Sequence, residues 1–358
     1  MRYAKIIGIN LLILVALLAI VELIFGGWII ERNVLANYNI VFSKTYHFDV
    51  SKIYPEGGNV TYTRDKYGLR MSGKSEPGFA EILTVGGSTT DQRYLSDGLT
   101  WQDAMHEELL KSGLQMTIAN AGIDGQSTFG HLKNFEIWFP LIPKLKPKYV
   151  MFYIGINDFY IDAEKWAEIT DIKNAGFKSE IKNKSVIYNT VRKIKGALNS
   201  RVVRVSHSKI DFSKLTYTTK PLLDSTRYRS ILGERLTGYK VRIEQLALLA
   251  KKMGAVPVFI SQPCRKFRIL ENGTIEGITE TENYGDVKLN GVDYFHMLTI
   301  MNDMIKQVCE KGNYPYIEFT PKTIWTDSDF YDYAHTTPSG AKKVGIEMAK
   351  SMLPILIP

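Results

Sequence analysis

The sequence predicts an α/β fold in which a parallel sheet is covered by helices on both faces, preceded by one N-terminal transmembrane helix. Short apolar runs such as Ile82–Val85 and Tyr149–Ile154 alternate with longer segments of helical periodicity, as strands buried on both sides require. Several of these runs stop at Gly- or Asn-containing turns, where an open parallel sheet presents ligand-binding loops. Ile6 to Ile30 is apolar over 25 residues, broken only by Asn10, Glu22 and small residues. A helix of about 20 apolar residues crosses the hydrocarbon of a bilayer.

The 358 residues are 45% apolar and 23% charged, a globular composition sufficient for one large or two small domains, and no internal repeat is evident. The expected organisation is an anchor over 1–32, a lead-in over 33–80, and a main domain over 81–358 with an insertion at about 160–235. A cleaved signal peptide competes with the anchor, but its apolar region would be shorter and no A-x-A site closes this one. Arg2 and Lys5 precede the span, while Glu31 and Arg32 nearly cancel after it, so the N-terminus is expected in the cytoplasm and the rest outside. Glu22 is costly inside a span and marks either a helix partner or a snorkelling position.

Outside the cytoplasm, Cys264 and Cys309 could form a disulfide or remain two buried thiols. The six histidines, at 47, 106, 131, 207, 296 and 335, show no ligand spacing, and no metal or cofactor is expected. The net charge of +8 and pI near 9.1 suit anionic headgroups or acidic polysaccharide. Nucleic acid is not expected of an exported domain.

Residues 33–80 read as irregular, with a strand or hairpin in "VTYTRDKYGLRM". Ile82, Leu83 and Val85 form a buried strand that stops at Gly86-Gly87-Ser88; Thr89, Thr90 and Asp91 offer caps for a following helix. Such a Gly-Gly-Ser is by itself also an ordinary turn. A phosphate loop is disfavoured because no Lys follows. "TWQDAMHEELLKSG" is an amphipathic helix with a Thr100/Asp103 capping box, on which His106 reads as solvated. "MTIANAG" is a second strand, "TFGHLKNFEIWFPLI" a helix broken at Pro140 and Pro143, and "KPKYVMFYIG" a third strand. Between Lys178 and Lys209 nine Lys or Arg face one Glu, which suits either a basic amphipathic insertion or a solvated one. Helix "YKVRIEQLALLAKKMG", strand "AVPVFISQP", a two-residue hairpin at Asn272-Gly273, helix "YFHMLTIMNDMIKQVCEKG", strand "YPYIEF" and helix "SGAKKVGIEMAKSML" complete the chain.

The loops at one sheet edge then carry a reactive set. The first gives Ser88; the second gives Gly125, whose backbone N–H is open to an oxyanion; the third gives Asn157, an amide with two donors. After the fifth strand, Asp332 and His335 stand three apart, so a short turn lets the carboxylate hold the imidazole while Nε2 accepts the Ser88 proton. Singly each is a common turn; their order along the sheet edge distinguishes them.

"GGSTT", "NAGIDG", "GIND" and "DYAH" together resemble the four signature blocks of the SGNH hydrolases, the GDSL family of esterases and lipases, over roughly residues 80–350. The resemblance implies a three-layer α/β/α sandwich with a five-stranded parallel sheet, a catalytic triad of Ser88, Asp332 and His335, and an oxyanion hole of Ser88, Gly125 and Asn157. Two departures stand out: Gly87 occupies the place of the family's usual Asp, and the basic insertion lies outside the family core. The resemblance further implies hydrolysis of an ester through an acyl-enzyme, with a small acyl group on exported carbohydrate as substrate. An O-acyltransferase and a catalytically idle glycan-binding scaffold are the alternatives.

Overall fold

The computed structural model describes residues 2–28, 40–54, 57–73, 76, 78–161, 184–188, 190–191, 207–319 and 325–357. The chain divides into two compact units, Met1–Ile40 with Glu164–Val203, and Val41–Ala163 with Arg204–Pro358.

In the first unit, helix α1 (Arg2–Phe25) contains a stretch, Lys5–Phe25, that is long and apolar enough to cross a membrane. It ends before the apolar run does, at Gly26-Gly27, where Gly26 N–H still donates to Glu22 O. The Glu22 carboxylate is satisfied within this unit. It accepts from Trp28 Nε1 at 2.8 Å, Ser185 Oγ at 2.5 Å, Val186 N at 3.1 Å and Ile187 N at 3.0 Å. Its expected partner is thus the 185–187 segment. Most of the basic stretch 178–209 lies outside the described residues.

The second unit contains, in chain order, β1 (Lys44–Asp49), β2 (Asn59–Arg64), β3 (Arg70–Ser72), β4 (Ile82–Gly86), α2 (Ser88–Asp91), α3 (Trp101–Lys111), β5 (Ile118–Asn120), α4 (Thr128–Lys133), β6 (Tyr149–Tyr153), α5 (Ile156–Tyr160), β7 (Tyr217–Thr218), α6 (Tyr228–Lys252), β8 (Val256–Ile260), β9 (Phe267–Ile269), β10 (Ile275–Ile278), β11 (Glu282–Tyr284), β12 (Val287–Leu289), α7 (Gly291–Gly312), β13 (Tyr316–Ile317) and α8 (Pro338–Leu356). The central sheet has six strands in the order β13-β8-β6-β4-β5-β3. Five are parallel, as expected; the sixth, β3, is an antiparallel edge. The five-stranded expectation is therefore corrected. The expected strand or hairpin in "VTYTRDKYGLRM" is β2 and the start of β3, which pair with other strands and not with each other; β3 is only three residues long. Its pairing is supplied by β5, with Arg70 opposite Asn120. Upstream, β1 and β2 pair as an antiparallel hairpin.

Alternation across the pleat builds the two apolar layers. Ile82, Met151, Tyr153, Val258 and Ile260 join Trp101, Met105 and Leu109 of α3 and Val344, Met348 and Met352 of α8 in one buried cluster. Phe152 belongs to the opposite set, stacking on Phe259 at 4.8 Å and meeting Phe135 at 6.2 Å. Helices α6 and α7 pack together on that side, with α6 against β8.

Several local expectations change. The "TFGHLKNFEIWFPLI" helix is α-helical only to Lys133, then makes a π turn over Asn134–Trp138 and a 3₁₀ turn at Phe139–Leu141, where Pro140 removes a backbone donor. His106 is half-buried and hydrogen-bonds Met116 O through Nδ1 at 2.7 Å, so it is not a solvated surface side chain. The β9–β10 hairpin is wider than a two-residue loop: Leu270 N donates to Thr274 O, and of Asn272 and Gly273 only the glycine has positive φ, +82°. Its Asn272 side chain instead accepts from Thr274 N at 3.0 Å. Cys264 and Cys309 are both buried and free. The Thr100/Asp103 capping box is present.

Candidate active site

Strand β4 ends at Gly86, and Ser88 is the first residue of the four-residue α2. Gly87 is the N-cap and makes no side-chain cap, so Thr89, Thr90 and Asp91 do not cap this turn as expected. They anchor it instead. Thr89 Oγ1 accepts from Gln262 Nε2 at 2.6 Å, and Thr90 O accepts from Asn120 Nδ2 at 2.6 Å and Gln102 Nε2 at 3.1 Å. Asp91 is buried and paired with Arg64. Gly87 answers a steric need: a Cβ there would run into Asn157 Nδ2 and Gln126 O.

The loop before α8 brings His335 to Ser88. The Ser88 Oγ–His335 Nε2 separation is 2.7 Å. On the other ring edge, Nδ1 lies 2.8 Å from Asp332 Oδ2 and 2.9 Å from Oδ1. The D-x-x-H turn is closed by the carboxylate itself, since Oδ1 also accepts the backbone N–H groups of Ala334 at 2.9 Å and His335 at 2.7 Å. Tyr331 stacks on the imidazole with centroids 5.6 Å apart and planes 8° from parallel. Burial works to raise the Asp332 carboxyl, but hydrogen bonds from His207 and His335 outweigh it and hold the group well below the usual carboxylate range. Asp332 is therefore an anion at neutral pH. With the imidazole proton on Nδ1, Nε2 is left to accept from Ser88.

Gly125 sits at an exposed turn with φ +75°, a conformation that favours glycine. The next residue, Gln126, presents its carbonyl to Asn157 Nδ2 at 2.7 Å. That bond uses one of the two amide N–H groups and places Asn157 against the Gly87 backbone, beside Ser88. The neighbouring Asp158 is structural: its buried carboxylate accepts from Thr128 N at 3.1 Å and Thr128 Oγ1 at 2.5 Å, fastening the start of α4. All five expected residues thus occur in the segments that follow the carboxyl ends of the parallel strands, Ser88 and Asn157 in the short helices α2 and α5 and the others on loops. Ser88, Asp332 and His335 are directly bonded in series, Asn157 abuts Gly87, and Gly125 adjoins Asn157's hydrogen-bond partner.

Sequence patterns missed the residues that hold these loops together. Arg64, buried in β2, donates from Nε to Tyr62 Oη at 2.7 Å, from Nη1 to Gly68 O at 3.0 Å and Asn120 O at 2.9 Å, and from Nη2 to Gly122 O at 2.5 Å and to Asp91. Arg70 in β3 donates to the carbonyls of Asp91, Gln92 and Leu95 at 2.8–3.0 Å. The sequence signal was two arginines within alternating, strand-like polarity, a pattern that an exposed hairpin shares. His207 is the other surprise. Its Nδ1 lies 3.2 Å from Asp332 Oδ2 and its ring centroid 4.3 Å from that of His335, although it lies near the end of the basic 178–209 stretch and belongs to no motif.

A family model for GDSL-like lipase/acylhydrolase matches residues 82–348. No curated protein sequence matches the chain. Among solved structures, a catalytic mutant of an acetylxylan esterase from Geobacillus stearothermophilus is similar at 12% identity and TM-score 0.40, over 77% of this chain and 93% of that one. A GDSL-like lipase from Bacteroides thetaiotaomicron is similar at 12% identity and TM-score 0.37, over 76% and 85%. A psychrotrophic esterase from a Pseudoalteromonas species is similar at 13% identity and TM-score 0.42, over 77% and 98%. The family model spans most of the chain, including the five parallel strands and the loops that follow them: the protein belongs to the GDSL-like lipase/acylhydrolase family and is a carboxylic ester hydrolase.

Proposed function

We propose that the protein is a membrane-anchored serine esterase that works outside the cytoplasm and removes a small acyl group, such as acetyl, from carbohydrate. One observation carries the mechanism: Ser88 Oγ, the His335 ring and the Asp332 carboxylate are linked by hydrogen bonds of 2.7 and 2.8 Å. His335 takes the Ser88 proton as Oγ attacks the ester carbonyl, and Asp332 holds the tautomer and stabilises the imidazolium. The oxyanion is met by the backbone N–H groups of Ser88 and Gly125 and by the Asn157 amide. The imidazolium then gives its proton to the departing alcohol, leaving an acyl-enzyme, and His335 activates the water that releases the acid.

Support for the anchor comes from the Lys5–Phe25 helix, and for its orientation from Arg2 and Lys5 on its N-terminal side. Support for a carbohydrate substrate is the family resemblance of a tethered, exported chain together with its net charge of +8, which suits a polyanionic matrix. The test is a panel of acetylated glycans and fatty-acyl esters given to the full-length protein in detergent. Free acetate from glycan at a higher kcat/KM than acid from long-chain esters is expected. Preference for long acyl chains, or passage of acetyl to sugar hydroxyls instead of water, would overturn the substrate and hydrolytic assignments respectively.

A further inference from the structure

We infer that His207, Asp332 and His335 form a binding site for a borderline divalent transition-metal ion, with Zn²⁺ as its best-fitting occupant, and that the bound ion switches the serine site off. The binding inference stands on geometry alone. Its inhibitory consequence rests on the proposed role of His335 as the base.

Each of the three residues offers one ligand atom, and these atoms lie within 4.8 Å of one another. Both imidazoles address the same carboxylate oxygen: His335 Nδ1 at 2.8 Å and His207 Nδ1 at 3.2 Å from Asp332 Oδ2. A tetrahedral zinc site with bonds of about 2.0–2.1 Å separates its donors by roughly 3.3 Å, so the Asp332 oxygen already stands at close to ligand spacing from each ring. The two rings meet edge to face, at 73°, with their centroids 4.3 Å apart. Two imidazoles and a carboxylate form a donor set for zinc or its neighbours, whereas Mg²⁺ and Ca²⁺ require an oxygen cage.

The surroundings hold this set in place. Asp332 Oδ1 is committed to the Ala334 and His335 backbone N–H groups, which leaves Oδ2, the atom that both imidazoles face, to coordinate an ion. His207 is packed edge-on against Tyr94 at 5.2 Å and Tyr331 at 5.9 Å. All three side chains of the set retain 17–18% exposure, enough for an ion and a fourth, water ligand to enter. Serine chemistry uses one imidazole on the triad carboxylate and gives no role to a second.

Coordination acts through tautomers. An ion bound at His335 Nδ1 requires that nitrogen's lone pair, so the ring proton moves to Nε2, and the same exchange occurs in His207. No proton is released overall. Ser88 Oγ then faces an N–H donor in place of the acceptor it needs.

The test uses the full-length Ser88→Ala protein in detergent, where catalysis plays no part. Equilibrium dialysis with Zn²⁺ is expected to give one ion per chain, and Co²⁺ is expected to produce the visible d–d absorption of a four-coordinate site; Mg²⁺ gives neither. Adding His207→Asn, or separately His335→Asn, should weaken Zn²⁺ binding at least roughly tenfold, with thermal unfolding checked for each variant. In the wild type, Zn²⁺ should slow fluorophosphonate labelling reversibly, with chelator restoring it. Saturable binding in Ser88→Ala alongside a wild type that cleaves no ester would sink the proposed function and leave this site standing. Absence of saturable Zn²⁺ binding, or unchanged affinity in folded His207→Asn and His335→Asn variants, would overturn the site.

Discussion

Gln92 Nε2 donates to Thr336 Oγ1 at 3.0 Å, which ties the residue next after α2, four past Ser88, to the residue next after His335. The same side chain accepts Trp101 N–H through Oε1 at 2.8 Å, so one buried amide also fixes the start of α3. Gln92 itself sits at φ +48°, a left-handed conformation that costs a non-glycine residue free energy. Replacement by Ala should lower stability by about 1–3 kcal/mol, because two buried partners are left unsatisfied. It should also lower kcat by up to about 10²-fold with KM little changed, because Ser88 and His335 lose their common tether. A steady-state series on Gln92→Ala and Gln92→Glu checks this; a change confined to KM would contradict it.

Arg64 is the buried strut of the serine turn. Arg64→Met would leave Asp91 buried with Arg93, 3.6 Å away, as its one ionic partner among the described residues, and would strip donors from the Gly68, Asn120 and Gly122 carbonyls. Breaking one side of a buried pair costs about 3–5 kcal/mol. Chemical denaturation of the full-length protein in detergent should show that loss. Arg64→Lys should recover little of it, since an ammonium cannot fork to five acceptors.

Asn157→Ala removes one proposed oxyanion donor and should reduce kcat by about 10²–10³ with a smaller effect on KM. Gly87→Ala should act in the same direction, since its new methyl meets the Asn157 amide. A rise in KM with kcat unchanged, in variants whose unfolding transitions match the wild type, would contradict the donor role.

His131 on α4 supplies a pH test of stability. It is buried, with Nδ1 lacking a partner among the described residues, and burial pushes its pKa down to about 3. The folded value lies below the ordinary 6.5, so the contribution is fully present above pH 6.5 and is lost as pH falls toward 3. Over that window the loss is on the order of 5 kcal/mol. Melting temperature should therefore fall more between pH 7.5 and 5 in the wild type than in a folded His131→Gln variant. Parallel curves for the two proteins would contradict the assignment.

The sheet edge was legible in the sequence because each parallel strand declares itself by an apolar run and a glycine or polar stop. Ser88 and Asn157 follow those stops directly, while Asp332 and His335 declare themselves by their spacing in the long loop after β13. The supports were not legible for a physical reason: Arg64, Arg70 and Gln92 act chiefly through partners 21 to 244 residues away, and no periodicity encodes such distances. The antiparallel β3 was hidden by its length, three residues, and became a strand only through its partner β5. His207 was invisible for a related cause. It lies near the end of the basic 178–209 stretch, whose composition gives no sign that the chain returns to Asp332.

The central claim is that Ser88 is a nucleophile activated by His335 and Asp332. Its most direct test is intact-protein and peptide mass spectrometry after treatment with a fluorophosphonate. A single adduct on the peptide bearing Ser88 is expected, formed far more slowly in Asp332→Asn and absent in Ser88→Ala. An adduct on another residue, or undiminished ester turnover by Ser88→Ala, would contradict the account.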